Sequence, residues 1–133
     1  MARAVADTHT VIWYLYNDAR LSPTAHTWIE DAAAAGEQIA LSSITLAEMV
    51  YLIERGRIDA AALTRLMVEL DTTDAVLVEV PLDRQVAQAM SRVARTEVPD
   101  LPDRIISATA LLLGIPIISR DRKIQAAGLT TVW

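Results

Sequence analysis

Short apolar runs alternate along this chain with longer stretches in which apolar positions recur at helical spacing. Ala4 to Ala6 predicts a short buried strand, and the helix that follows through Val11, Ile12 and Leu15 stops at Asn17 and Asp18. Ser22 then stands as an N-cap with Pro23 at the first helical position, and that helix runs to Gly36. Ile39 to Leu41 predicts a second strand. Ser42 and Ser43 cap a helix ending near Gly56, and Asp59 caps another that reaches Leu70. The β-branched run Ala75 to Val80 reads as a strand, and Pro81-Leu82-Asp83 opens a helix through Val86, Ala87, Met90 and Val93. Thr96 to Pro102 reads as a loop. Asp103 to Leu113 is an apolar helix closed by Gly114, Ile115 to Ile118 is a strand carrying Pro116, Lys123 to Ala127 is a short helix, and Thr130 to Val132 is a last strand.

Apolar strands without clean alternation, separated by helices, imply an α/β fold with a mostly parallel sheet covered on both faces. Sites in such sheets form outside the carboxyl ends of the strands. At 133 residues without a repeat, a low-complexity tract or a linker, residues 1–133 read as a single domain. Hydrophobic content is 53% and mean hydropathy +0.29, yet Glu48, Glu54, Asp71 and Asp103 break every apolar run short of a bilayer span. Asp7 and His9 interrupt the start of the chain where a signal peptide needs an apolar core, so the expected location is cytoplasmic and no membrane partner is expected.

The chain has no cysteine and two histidines, His9 and His26, so a metal site here would be built of oxygen ligands. A net charge of −5 argues against nonspecific binding of nucleic acid through a basic surface. It leaves a nuclease open, because carboxylates that bind cations count as negative and the bound ion inverts the local field. Eleven of the twelve cations are arginine, which suits paired contacts with phosphate, but a compositional bias produces the same ratio and is the better account of it.

Four acidic positions carry the chemistry. Asp7 directly follows the first strand and can cap the next helix; Asp121, after the strand ending at Ile118, can do the same. Asp100 and Asp103 have the three-residue spacing of a capping pair, and Asp103 can serve both a cap and a site. Glu48 is the sole charge between Ile44 and Ile53, a segment apolar nearly all round, which predicts a buried helix. A buried carboxylate costs several kcal/mol unless paired, so Glu48 needs either a cation in a site or an arginine such as Arg104. If Asp7, Glu48, Asp103 and Asp121 converge on one sheet edge, they repel one another unless Mg²⁺ or Mn²⁺ is bound, and such a cluster suits phosphodiester hydrolysis.

The segments ADTHTVIWYL (Ala6 to Leu15), LSSITLAEM (Leu41 to Met49), DLPDRIISATAL (Asp100 to Leu111) and ISRDRKI (Ile118 to Ile124) occur in the order found in PIN-domain ribonucleases. The chain resembles that family, and within it the VapC toxins of type II toxin–antitoxin pairs. Leu101 stands where proline usually follows the first aspartate of the helix motif, and Ser119 where threonine is usual. The resemblance implies a three-layer α/β/α sandwich, a Mg²⁺ or Mn²⁺ site, endonucleolytic cleavage of RNA, and inhibition by a cognate antitoxin. It carries the acidic roles onto Asp7, Glu48, Asp103 and Asp121, with Asp100 as a supporting acid and Ser119 as a hydroxyl beside the site.

On this reading Asp7, Asp103 and Asp121 hold the metal, and Glu48 is a ligand through water or orients the attacking water. Thr8 supplies a further hydroxyl. Arg104 and Arg120 lie close enough in sequence to contact RNA phosphate, whereas Arg122 reads as solvated surface and His9 as a structural hydrogen-bonder. The rival reading is a PIN-like interaction module whose acidic cleft receives an arginine of a partner. Trp13, Tyr14, Tyr16 and Trp28 read as exposed and would line a homodimer or antitoxin surface. A receiver-like phosphoacceptor is a third reading, but Ile118-Ser119 lacks the lysine expected at a late strand end.

Overall fold

Asp7, Ser22, Ser42, Asp83, Asp100 and Asp121 each hold extended backbone at the entrance to a helix, and each side chain accepts a hydrogen bond from a backbone N–H in that helix's first turn. These caps punctuate the chain in the computed structural model, which describes residues 1–133. Strand β1 (Ala2–Ala6) leads to α1 (Thr8–Leu15) and α2 (Pro23–Ala34); β2 (Gln38–Ser42) leads to α3 (Ser43–Glu54) and α4 (Ala62–Asp71). Then come β3 (Leu77–Val80), α5 (Arg84–Ala89) with a 3₁₀ turn at Met90–Arg92, and α6 (Leu101–Leu113). The chain closes with β4 (Ile117–Ile118), α7 (Arg122–Ala126) and β5 (Thr131–Val132).

All five strands are parallel, in the order β3-β2-β1-β4-β5. Successive strand residues face opposite sides, and the two cores follow from that alternation. Ala4, Ala6, Ile39, Leu41 and Ile118 pack with Val11, Ile29, Met49 and Leu66 from α1 to α4. Val5, Ala40 and Ile117 pack with Val86, Ile105, Ile106 and Ile124 from α5 to α7. The result is the three-layer α/β/α sandwich, with a sheet that is wholly rather than mostly parallel. The chain leaves β3 on one side of β1 and re-enters the sheet at β4 on the other, so the strand order reverses between β1 and β4.

Several expectations shift. Helix α6 starts at Leu101, two residues before Asp103, because Asp100 caps it and Pro102 falls in the first turn, where an N–H has no intrahelical partner to lose. Strand β4 starts only at Ile117: Pro116 has no N–H to donate, though its carbonyl still accepts from Val5 N–H at 2.9 Å. Helix α4 begins at Ala62, with Asp59 held one turn earlier, its side chain accepting from Ala61 N–H at 2.7 Å.

Helix α3 is not buried all round. Only Thr45 and Met49 are fully enclosed, and Val50 (41%) and Tyr51 (54%) face solvent. The aromatic residues read as exposed are not: Trp13 is buried, and Tyr14, Tyr16 and Trp28 are half-buried against the α1–α4 core.

Candidate active site

The reversal between β1 and β4 leaves a crevice at the carboxyl ends of those strands, the usual place for a ligand in an open α/β sheet. There the structure brings together Asp7, Glu48, Asp100, Asp103 and Asp121 around a cavity of about 330 Å³, with Thr8, His9, Trp13 and Arg120 completing its walls. Each acid reaches it by a different local route. Asp7 leaves β1 and spends Oδ1 on the Thr10 N–H at 3.0 Å. Asp121 follows β4, with Oδ1 accepting from Lys123 N–H at 2.8 Å, while its own N–H donates to the buried Ser119 hydroxyl at 3.0 Å. Ser119 therefore orients Asp121 from beneath and is not in the cavity wall. Asp100 caps α6 through Asp103 N–H at 3.1 Å, which presents Asp103 from the first helical turn.

In each of the three capping aspartates Oδ1 makes the helix cap, and no protein donor occupies Oδ2. The capping and site readings of these residues are thus compatible at the level of single oxygen atoms. Glu48 enters from the second turn of α3 and accepts a hydrogen bond from the Thr8 hydroxyl, which also lies 3.1 Å from the Thr45 hydroxyl. Both threonines are buried.

The electrostatics record the crowding. Burial first, then Asp100, Asp121, Glu48 and Asp7, push the Asp103 carboxyl up to about 7. Asp103 sits in the N-terminal turn of α6, which favours an anion by about 0.3–1 kcal/mol. One pKa unit is worth about 1.36 kcal/mol, so the turn cannot offset that shift. Burial also raises the Glu48 carboxyl; Asp100 and Asp7 add to the rise, while the Thr8 hydrogen bond and His9 oppose it. Five of the chain's 17 acidic residues line this one cavity, and the other twelve balance the twelve Lys and Arg. With Arg120 in the same wall the cavity carries a formal −4, most of the chain's net −5.

By donor chemistry the set fits a hard divalent cation: all carboxylate and hydroxyl oxygen, with unrelieved like-charge repulsion. No three of the acids close into a ready-made ligand group.

Two placements depart from the sequence reading. Arg104 is not in the cavity and does not pair with Glu48; its guanidinium donates to the Met90 and Val93 carbonyls at 2.9 and 3.2 Å, tying α6 to the 3₁₀ turn. The expected phosphate contact at Arg104 is thus corrected to a packing role, because its Nη2 is turned to those two carbonyls, away from the cavity, and its Nε is buried. Conversely His9 and Trp13 line the cavity, although neither was placed there from sequence. Their spacing of four residues, on the helix that follows Asp7, was the available signal, since it puts both on one helical face.

A parallel α/β/α fold with an acidic crevice at its topological switch point defines the class as that of the PIN-like domains. Residues 4–128 match the PIN domain family, and the chain belongs to it; PIN domains are generally nucleases. Among solved structures the fold is similar to that of VapBC2 from Rickettsia felis bound to a DNA fragment from their promoter (17% identity, TM-score 0.70, 96% of each chain covered). It is also similar to FitAcB from Neisseria gonorrhoeae (19% identity, TM-score 0.59, 96% of this chain and 95% of that one). No curated protein matches the chain.

Proposed function

We propose that this protein is a divalent-metal-dependent endoribonuclease acting in the cytoplasm, the toxin of a toxin–antitoxin pair. The observation that carries the reading is the convergence of five carboxylates on one crevice; burial first, and then the neighbouring acids, push the Asp103 carboxyl up to about 7. A folded protein has no structural reason to gather repelling anions there, and a bound cation removes the repulsion. Asp7 and Asp121, through the oxygens left over from helix capping, and Asp103, whose carboxylate caps no helix, would hold Mg²⁺ or Mn²⁺. When bound, such an ion lowers the pKa of water and offsets charge on the phosphate.

The chain's own groups supply the rest. Glu48, steadied by Thr8, orients the attacking water as acceptor of its proton, and Arg120 at the rim meets a phosphate of the RNA strand. Asp100 sets the N-terminus of α6 and so the place of Asp103, and Ser119 does the same for Asp121. A cognate antitoxin and a second copy of the chain are the proposed protein partners. Support comes from the apolar exposure of Val50, Tyr51, Met67 and Val68 on the packed pair α3 and α4, and from the toxin–antitoxin complex named for VapBC2.

The deciding experiment is cleavage of labelled single-stranded RNA by metal-stripped protein, with and without Mg²⁺ or Mn²⁺, beside Asp7→Asn prepared identically. Ion-dependent cleavage that disappears in the variant is the expected result. Absence of both cleavage and calorimetric ion binding would overturn the catalytic reading and favour an interaction module.

A further inference from the structure

Arg120 is the only arginine or lysine in the wall of the acidic crevice. It makes no ion pair and donates no side-chain hydrogen bond, although Asp121 adjoins it in the chain and four other acids share its crevice. Its guanidinium carbon lies instead 4.6 Å from the centre of the Trp13 ring. A second guanidinium, Arg20, sits 5.2 Å from the same ring, but its nitrogens are engaged by Asp18 at 2.8 and 3.1 Å. Trp13 is 4% exposed and rests on Trp133, with ring centres 5.8 Å apart, and on His9 at 5.6 Å. The indole is thus a fixed surface, and Arg120 is an exposed side chain laid on it with its N–H donors unspent.

An exposed arginine on a flexible stem, beside five carboxylates, would ordinarily fold over them. The electron-rich face of a tryptophan is the best aromatic platform for a guanidinium and competes for it without consuming its hydrogen bonds. We propose that Trp13 is a positioning residue: it holds the Arg120 guanidinium at the crevice rim, out of the carboxylate cluster, so that Arg120 meets a phosphate of a single-stranded nucleic acid. The inference rests on the nuclease reading and adds to it the residue that places the cation.

The test is binding of a fluorescein-labelled, mixed-sequence single-stranded RNA by anisotropy across a series of salt concentrations, in an Asp103→Asn background that prevents cleavage. Each phosphate contact contributes about 0.7 to the slope of log K against log salt for single strands. Arg120→Ala should lower that slope by about 0.7 and weaken binding about tenfold, the equivalent of one charge-assisted hydrogen bond. Trp13→Leu should lower the slope by the same amount, and Arg120→Ala added to it should change nothing further. Because Trp13→Leu removes no charge, a merely structural loss would leave the slope intact.

If that variant does not fold, fluorinated tryptophans, which weaken the ring's attraction for cations while keeping its shape, replace it. Binding should then weaken in the chain carrying Arg120 and stay constant in Arg120→Ala. A slope that falls for Arg120→Ala alone overturns the positioning role and leaves the nuclease reading standing. Failure of the parent chain to bind any RNA, with or without Mg²⁺, overturns both.

Discussion

Thr8 has one hydroxyl proton and two candidate acceptors, Thr45 and Glu48, and it gives that proton to the carboxylate. Hydrogen bonds to charged groups are worth about 1.5–3 kcal/mol, so Thr8→Val should slow cleavage by about tenfold or more. It should also move the acidic limb of the pH–rate profile upward. The lost bond is one of the two influences holding the Glu48 carboxyl down against burial, and its removal raises the pH at which Glu48 ionises. Thr8→Ser should restore both properties. The two arginines divide just as sharply. Arg104→Ala strips donors from the Met90 and Val93 carbonyls and should cost about 1–3 kcal/mol in urea unfolding, without altering the salt dependence of RNA binding. Sequence could not separate them, because adjacency to a motif aspartate is common to both. What differs is which acceptors the fold brings within reach.

At the level of elements, one residue type performs two jobs. Asp100 ends a loop and starts α6, and it is also the neighbouring charge that does most to raise the Asp103 carboxyl. Asp100→Asn keeps a capping oxygen while deleting the charge, and Asp100→Ala deletes both. The alanine variant should therefore lose about 1 kcal/mol of stability that the asparagine variant keeps. In the asparagine variant, NMR titration should find the Asp103 carboxyl below its native value of about 7. At the other end of α6, Gly114 holds φ +68 with nothing within 4 Å of a notional Cβ. Gly114→Ala should cost about 1–2 kcal/mol by thermal denaturation, wholly through backbone strain.

Element type and order were legible because caps and apolar spacing are local. The ends of α6 and β4 were less so, since proline permits a helix start and forbids a strand donor in ways that depend on which turn or neighbour it meets. The burial of α3 was misjudged for a related reason. Its apolar face exceeds what the sheet and α4 can cover, and Val50 and Tyr51 are left outside.

For the whole molecule, the concentration of net charge in one crevice couples stability to pH and to cations. Asp103 titrates near 7 when folded and near 3.8 as an unperturbed carboxyl, so the folded chain binds the extra proton between those values. The sign follows: stability from this group is complete below about pH 4 and is lost as pH rises through about 7. Metal-stripped protein should thus melt at a lower temperature at pH 8 than at pH 5, by about a few degrees. Added Mg²⁺ or Mn²⁺ should reverse the loss, with about 2.7 kcal/mol of stabilisation at a hundredfold excess over Kd. The gain should be largest above pH 7, where the acids are ionised, and small at pH 5. An ion effect independent of pH would place the cation away from Asp103.

What the sequence determined alone is what short-range physics settles: parallel strands from apolar runs, helix starts from aspartate and serine caps, and the candidate acids, Asp7, Asp103 and Asp121 from their places at or near element ends and Glu48 as the lone charge in an apolar helix. The tertiary structure decided what depends on contacts far apart in the chain. It brought β4 beside β1, and with that turned four separated motifs into one crevice. It gave Arg104 to backbone carbonyls and Arg120 to Trp13, 107 residues away in sequence. A side chain's charge is written locally, but its partner is whichever group the packed sheet and helices place beside it, and only the folded chain specifies that.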